Sequence, residues 1–452
     1  MKQLITRLFL WYLRSLSQVQ LLKNNPVVIG ITGSAGKTST LHAVAATLSD
    51  HESIKVSYKA NSETGIPLNI LGLKPTKFSV KEWLVLLVRA PLQLILNWEK
   101  YQTYIVEMAI DSPFPPKNMT YLLEIVQPEI GIFLNARPMH SEPFDALVKE
   151  SDAAARRQAV ITLIAAEKGK LIRQLPATGV AILNSDDPAV VQFEHHTNAR
   201  VLTVGFAPSA TIRVLSVQAS LTGTTVHLQY ESQQAQMSLP AVALPQHFGL
   251  TIAAGVAAGV ARNMSFQEAC NSLSANFTLP PGRASLIAGK NGSTLLDSSY
   301  NASAQAVCDM LELLSQLPAT QKIAILGDIR ELGAVTQLEH ETVAQAAAKV
   351  CDIVCLVGPQ MKQYALPILA KTEVETQWFE TASQAASFIE PQLTANTTVL
   401  VKGSQNTLLL EIAVEQLLAE PGIADQVLCR RGDFWDAQRA KLIPRTSSQP
   451  QP

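Results

Sequence analysis

The chain has 452 residues, with 36 Lys and Arg against 37 Asp and Glu and a 47% apolar composition. That length allows two to four domains with sizeable cores, and the near-zero net charge supplies no bulk field for nucleic acid or an anionic membrane. Five cysteines, odd in number and sparse, exclude a disulfide framework and point to a reducing cytoplasm.

The first segment, Met1 to Leu22, is apolar but interrupted by Arg7 and Arg14 and has no small-residue cleavage site. It is too short and too charged to span a bilayer. It reads as an amphipathic helix (residues 1–25), packed on the body or lying on a membrane surface. Val27 to Thr32 is a buried-strand run, followed by a loop and a helical stretch from Lys37 to about Leu48. In the segment Lys81–Asn97, Arg89 and Pro91 break an apolar run from Trp83 to Val88. A buried helix or membrane contact would both suit it. Tyr104–Glu107, Ile130–Leu134 and Val180–Leu183 read as further strands, with one long helix from Ser151 to Leu175. Apolar strands alternating with helices predict a mainly parallel sheet covered on both faces. From Val201 to Pro240 the pattern turns to polar alternation, predicting a small antiparallel patch.

Leu279-Pro280-Pro281-Gly282 marks a boundary. Leu286–Ala288 and Thr294–Leu296 form a hairpin around Asn291-Gly292. Strands at Ile323–Leu326, Ile353–Val357 and Val399–Val401 alternate with helices at about Ala304–Leu317, Leu338–Val350 and Leu408–Leu418. The fold class is therefore α/β: a central domain over 26–279, with a mainly parallel sheet and a small antiparallel patch, and a Rossmann-like domain over 280–428. An extension over 429–452 follows, its tail from Ile443 expected to be disordered. Cys351 and Cys355, four apart, suit a buried strand better than a metal.

The strongest chemical signal is Thr32-Gly33-Ser34-Ala35-Gly36-Lys37-Thr38-Ser39, set between strand and helix. Gly33 and Gly36 let loop amides converge on phosphate, at the positive end of a helix. Lys37 should reach the β- and γ-phosphates of ATP, and Thr38 should ligate Mg²⁺. The strict phosphate-loop pattern wants Gly at 31, where this chain has Ile31.

With that departure, the loop resembles that of the Mur ligase family. The resemblance continues through Asn61–Leu68, Glu107 at a strand end, Leu134-Asn135, His140-Ser141-Glu142, Glu167-Lys168 and Asn184–Pro188, with His247 in a further family segment. Pro281-Gly282-Arg283, Asp297–Ala302, Leu326–Gly333 with His340-Glu341, and Val401–Ser404 resemble the branch that adds D-alanyl-D-alanine. The resemblance implies an ATP-dependent ligase that activates a carboxylate as an acyl phosphate and joins it to an amine. Thr38, Glu107, His140 and a carbamylated Lys168 would serve the metals. The loop residues 33–39, Asn184, Arg283, Asp297, Tyr300 and Asn301 would hold the nucleotide, with ATP in a cleft between the domains.

Read without the family, several of these residues have plainer roles. Glu107 could be a surface carboxylate, His140 a loop histidine and Lys168 a solvated lysine. Tyr300 and Asn301 could build a turn, and Asp328 and Glu331 could cap helices. Ser298 stands where the branch has a second Asp, and Phe248 where the family has Asn. About 25 residues precede the first strand, where the branch carries a UDP-binding domain. The acceptor is therefore expected to be a cell-wall precursor, small or lipid-linked, or a poly-glutamate. The amine is an amino acid or dipeptide. No nucleic-acid partner is expected, and the chain should be a monomer, with contact to a membrane surface as an added expectation. A nucleotide-binding protein without turnover is the competing reading.

Overall fold

The computed structural model describes residues 2–74, 80–138, 142–150, 152–330, 332–404 and 406–442. His140, Glu331 and the tail from Ile443 fall outside them. The chain divides into two compact units: 1–216, 226–237 and 247–278 form the first, and 217–225, 238–246 and 279–452 the second.

In the first unit, the strands β1 (Val27–Thr32), β2 (Ile54–Val56), β3 (Thr103–Glu107), β4 (Ile130–Phe133), β5 (Val180–Asn184) and β6 (Arg200–Gly205) pair in parallel in the order β2-β3-β1-β4-β5-β6. Every residue of β3, β4 and β5 is buried, as a parallel sheet covered on both faces requires. The sheet continues through β7 (Ile212–Ser220), β8 (Gly223–Tyr230) and β9 (Gln233–Pro240). The antiparallel patch is narrower than expected. β6 is a parallel strand of the main sheet and β7 pairs in parallel with it, so only the two-residue turns after β7 and β8 reverse direction.

Helix α1 (Lys2–Asn24) packs with α3 (Gly65–Leu71) and α4 (Val80–Leu96) around Leu13, Leu68, Leu71, Leu86 and Ala90. Helix α2 (Lys37–Leu48) follows the β1 loop, and α5 (Met119–Ile125) is capped by Asn118. The segment expected as a helix over 81–97 is α4, which runs through Pro91. The ring removes the amide that would bond the Leu87 carbonyl, and the Tyr12 hydroxyl donates to that oxygen instead, at 3.0 Å. The stretch 151–175 is not one helix but two, Ala153–Lys168 and Lys170–Arg173, meeting at Gly169. A Cβ there would lie 1.9 Å from the Phe193 ring, so the junction exists by close packing.

The Phe248–Ala261 helix lies against α2 through its small residues. Cβ atoms added at Gly255 and Gly259 would come within 2.9 Å of Ala43 and 2.7 Å of Thr47. This contact fixes α2, and with it the loop that α2 begins.

The second unit is a six-stranded sheet in the order β10-β11-β15-β12-β13-β14, with β10 (Ser285–Ala288) and β11 (Thr294–Asp297) the expected antiparallel hairpin. Asn291 and Gly292 turn it with φ of 56° and 77°. The strands β12 (Gln321–Gly327), β13 (Ile353–Val357), β14 (Glu375–Phe379) and β15 (Thr397–Lys402) are parallel. β14 escaped the sequence reading because it is a short edge strand whose only buried residue is Phe379. Cys355 lies inside β13 and Cys351 just before it, and burial pushes both thiols up to about 12.

Candidate active site

The site of the first unit forms at the carboxyl ends of β1, β3 and β4, where open α/β sheets place ligands. The register aligns Ile31 with Glu107 and Thr32 with Phe133, so the loop after β1, the end of β3 and the turn after β4 share one edge. Gly36 takes φ 84° as the N-cap of α2, a conformation that only Gly adopts without strain.

Asn135 clamps the loop. Its Oδ1 accepts from the amides of Ser34 (3.0 Å) and Ala35 (2.9 Å), and its Nδ2 donates to the Ala35 carbonyl (3.1 Å). The Ser34 hydroxyl donates to the Arg137 carbonyl and accepts from the Arg137 amide. Ser39 is buried in the first turn of α2.

Two lysines converge on one carbonyl. Lys37 Nζ donates to Gly33 O at 2.9 Å and to Ser34 O at 3.2 Å, and Lys168 Nζ donates to Gly33 O at 3.1 Å. Burial lowers the pKa of Lys37, against the raising influence of Glu107 and Asp111. Burial, then the charge of Lys37, lowers Lys168 to about 7. Lys168 is aimed by its neighbour Glu167, which accepts from the Met119 amide (3.0 Å) and from Lys170 Nζ (2.6 Å) and so pins the helix end to α5.

Thr38 Oγ1 donates to Glu107 Oε2 at 2.9 Å, and Asn61 Nδ2 donates to Oε1 at 3.1 Å. Glu107 is buried at the strand end, its amide bonded to the Ser57 hydroxyl. Hydroxyl and carboxylate together are the hard-oxygen donor set that suits Mg²⁺, which takes one or two carboxylates and keeps waters and phosphates for the rest. Asn184 is buried differently. Its Nδ2 donates to the Leu134 carbonyl at 2.8 Å and its Oδ1 accepts from the Asp186 amide at 2.9 Å, so the side chain ties β5 to the end of β4.

The second unit gathers a separate cluster. The Arg283 guanidinium lies 4.5 Å from the Tyr300 ring centroid, and its Nε is buried without a partner among the described residues. Asp297 is fully buried. Its Oδ1 accepts from the Ser299 amide at 3.0 Å, while Oδ2 has no partner among the described residues. Burial raises its pKa, opposed by Arg430 and Lys402. Lys402 Nζ donates to Ser298 Oγ (3.1 Å) and to the Asn301 carbonyl (3.0 Å), and burial, reinforced by Arg283, lowers it to about 8. The Asn301 side chain accepts from the Ala302 amide.

At the ends of β12 and β15, His340 Nε2 accepts from the Ile329 amide (3.1 Å) while Nδ1 faces the Thr336 carbonyl (2.7 Å). The proton therefore sits on Nδ1 and the ring props the 328–330 loop. Asp328 accepts from the Met361 amide at 2.8 Å.

The expected residues thus form two groups: the 33–39 loop with Glu107 and Lys168 in one unit, and Arg283, Asp297, Tyr300 and Asn301 in the other. Sequence reasoning missed Arg430. It holds φ 56° and is buried, donating to Glu411 Oε2 at 2.9 Å and to the Tyr300 carbonyl. No local pattern marks it. Asn61 and Asn135 stood in recognised segments, but only the fold gives them roles.

A phosphate loop closed by half-buried Thr38 on buried Glu107 and by Lys37 and Lys168, with a separate Rossmann-like unit, defines a nucleotide-binding α/β class. Residues 31–257 match the Mur ligase middle domain and residues 282–405 the Mur ligase glutamate ligase domain. The chain belongs to the Mur ligase family. It is 25% identical over 342 residues to the UDP-N-acetylmuramoyl-tripeptide–D-alanyl-D-alanine ligase of Escherichia coli, covering 74% of this chain and 65% of that protein. It is 26% identical over 399 residues to the enzyme of the same name from Synechocystis, covering 87% of this chain and 75% of the relative. The chain thus spans less than two thirds of the length of its Escherichia coli relative. The MurF ligase of Thermotoga maritima in complex with ADP shares the fold, with a TM-score of 0.69 at 19% identity over 92% of this chain and 84% of that one. No helix among the described residues is long and apolar enough to cross a membrane.

Proposed function

We propose that this chain is an ATP-dependent amide ligase of cell-wall precursor synthesis that adds D-alanyl-D-alanine, or an amine like it, to a precursor carboxylate. The observation that carries this reading is the convergence of Lys37, Lys168, Thr38 and Glu107 on one loop. The carboxylate oxygen attacks the γ-phosphorus of ATP and ADP leaves, giving an acyl phosphate. The amine nitrogen then attacks the acyl carbon, inorganic phosphate leaves with the bonding pair, and the amine proton passes to solvent.

Charge builds on the transferring phosphoryl group, and the site answers it with cations. Lys37 is held over the loop by the Gly33 and Ser34 carbonyls. Thr38 and Glu107 would hold Mg²⁺, which when bound neutralises phosphate charge and orients its oxygens. Lys168, lowered to about 7, has a large neutral fraction at physiological pH. A neutral amine can add CO₂ and release one N–H proton to solvent, and the carbamate so formed would be a further anionic metal ligand. In the second unit Arg283 and Asp297 are proposed to meet the nucleotide, a reading supported by a guanidinium Nε and a carboxylate Oδ2 that have no partner among the described residues. The chain acts as a cytoplasmic monomer.

A lipid-linked acceptor is the second reading. It is favoured by the exposed apolar residues of α4, among them Val88 and Leu92. The test is phosphate release by the purified chain with ATP and Mg²⁺, first with UDP-muramoyl tripeptide plus D-alanyl-D-alanine and then with lipid-linked and poly-glutamate acceptors. Release that needs both acceptor and amine, with the amide product found by mass, is expected. ATP binding without release on any pair would favour a nucleotide-binding protein without turnover.

A further inference from the structure

Among the described residues, eleven of the eighteen exposed large hydrophobics lie on α1, on α4 and at Trp98 just beyond it. On α4 they recur at helical spacing: Leu84, Val88, Leu92, Ile95 and Leu96 share one outward face, and Trp98 stands 70% exposed at its end. The opposite side of the same helix, through Leu86 and Ala90, is packed into the core with α1. An apolar stripe of this length belongs against something, yet the helix is covered on its other side only. Its 17 residues extend about 25 Å, short of a hydrocarbon core of about 30 Å. It is built to lie on a surface, not to cross it.

The charges name the surface. Helices α1 and α4 together carry six Lys and Arg and one acid, in a chain whose net charge is −1. Arg89 is exposed in the middle of the outer face, and Lys100 is exposed beyond it. Lys23 is exposed too, its ammonium 5.2 Å from the Trp98 ring centroid. The nearby acid Glu99 is held by Lys55. An amphipathic indole beside a long cation is the pairing that suits the headgroup level of a bilayer. A second copy docking through the same face by a twofold axis would set these cations against themselves.

The geometry points to α4 and the Lys23–Trp98 corner as a docking surface for an anionic phospholipid bilayer. The apolar face enters the headgroup boundary, and Lys23, Arg89 and Lys100 meet lipid phosphates. This surface is independent of the ligase chemistry, and its test reads no turnover.

Flotation of the full chain with vesicles of phosphatidylglycerol in phosphatidylcholine, about 30% anionic, should show binding that pure phosphatidylcholine lacks and that added salt weakens. Val88→Glu with Leu92→Glu should lose binding about tenfold or more, and Arg89→Glu roughly tenfold on the anionic vesicles alone. Both variants should keep ATP-analogue binding. Should the double variant fail to fold, bromolipid quenching of wild-type fluorescence that is lost in Trp98→Phe reads the same contact. Wild type that stays unbound to the anionic vesicles overturns the proposal. So does a dimer, seen by sedimentation equilibrium, that Val88→Glu dissociates.

Discussion

Lys168 reaches the carbonyl of Gly33, 135 positions away in sequence, with its ammonium nitrogen 3.1 Å from the oxygen that Lys37 also holds at 2.9 Å. Two amines on one carbonyl cannot both keep a proton cheaply out of water, which is why burial and the charge of Lys37 draw Lys168 down to about 7.

That value sets a pH dependence. If the neutral amine of Lys168, or its carbamate, is the working form, turnover should rise with pH through about 7. Lys168→Met should cut kcat about 100-fold or more while ATP still binds. The same shift has a stability sign. The folded value lies below the unfolded one, so the unfolded chain holds the extra proton between about 7 and 10.5, and stability rises with pH across that window. Melting curves at about pH 6.5 and 9 should therefore show Lys168→Met gaining more over wild type at the lower pH.

Glu107→Gln keeps the shape that meets Thr38 and Asn61 and removes the charge. Phosphate release should fall about 100-fold and need more Mg²⁺, with stability changed by only about 1 kcal/mol. A variant with unaltered Mg²⁺ dependence would remove Glu107 from the metal site.

The hydroxyl of Tyr12 takes over the bond that Pro91 cannot make to Leu87. Tyr12→Phe should cost about 1–2 kcal/mol by leaving that carbonyl unpaired. In a Pro91→Ala background the amide restored at that position can reach Leu87 O, so the same tyrosine substitution should cost markedly less. A double-mutant cycle by chemical denaturation measures the difference.

The Arg430–Glu411 pair is buried on both sides, and removing one partner strands the other. Arg430→Met should destabilise the second unit by about 3–5 kcal/mol, and replacing both residues should cost less than the sum of the single changes. Denaturation of the three variants reads this directly.

Much of the frame is legible from neighbouring residues. The β1 run, the turn at Gly33 and Gly36 and the start of α2 form a local unit whose conformation its own residues dictate. The β10–β11 hairpin follows from Asn291-Gly292 in the same way. The limits of such reading are equally particular. A proline in an apolar run gives no sign of how its lost amide bond is made good, because the hydroxyl that does so lies on another helix, 75 positions from the carbonyl it meets. The edge strand β14 lacks the buried run that betrays its neighbours.

The sequence by itself determined where phosphate would be held, because amide convergence and a following helix are matters of short-range backbone geometry. It also carried the family's motifs in order. Only the tertiary structure decided which side chains complete that loop. Asn135 on its amides, Lys168 on its carbonyl, and Arg430 beneath Tyr300 in the other unit all come from distant segments. Their meeting depends on how layers pack and on how far burial strips water from a charge, and no short window of residues contains either quantity.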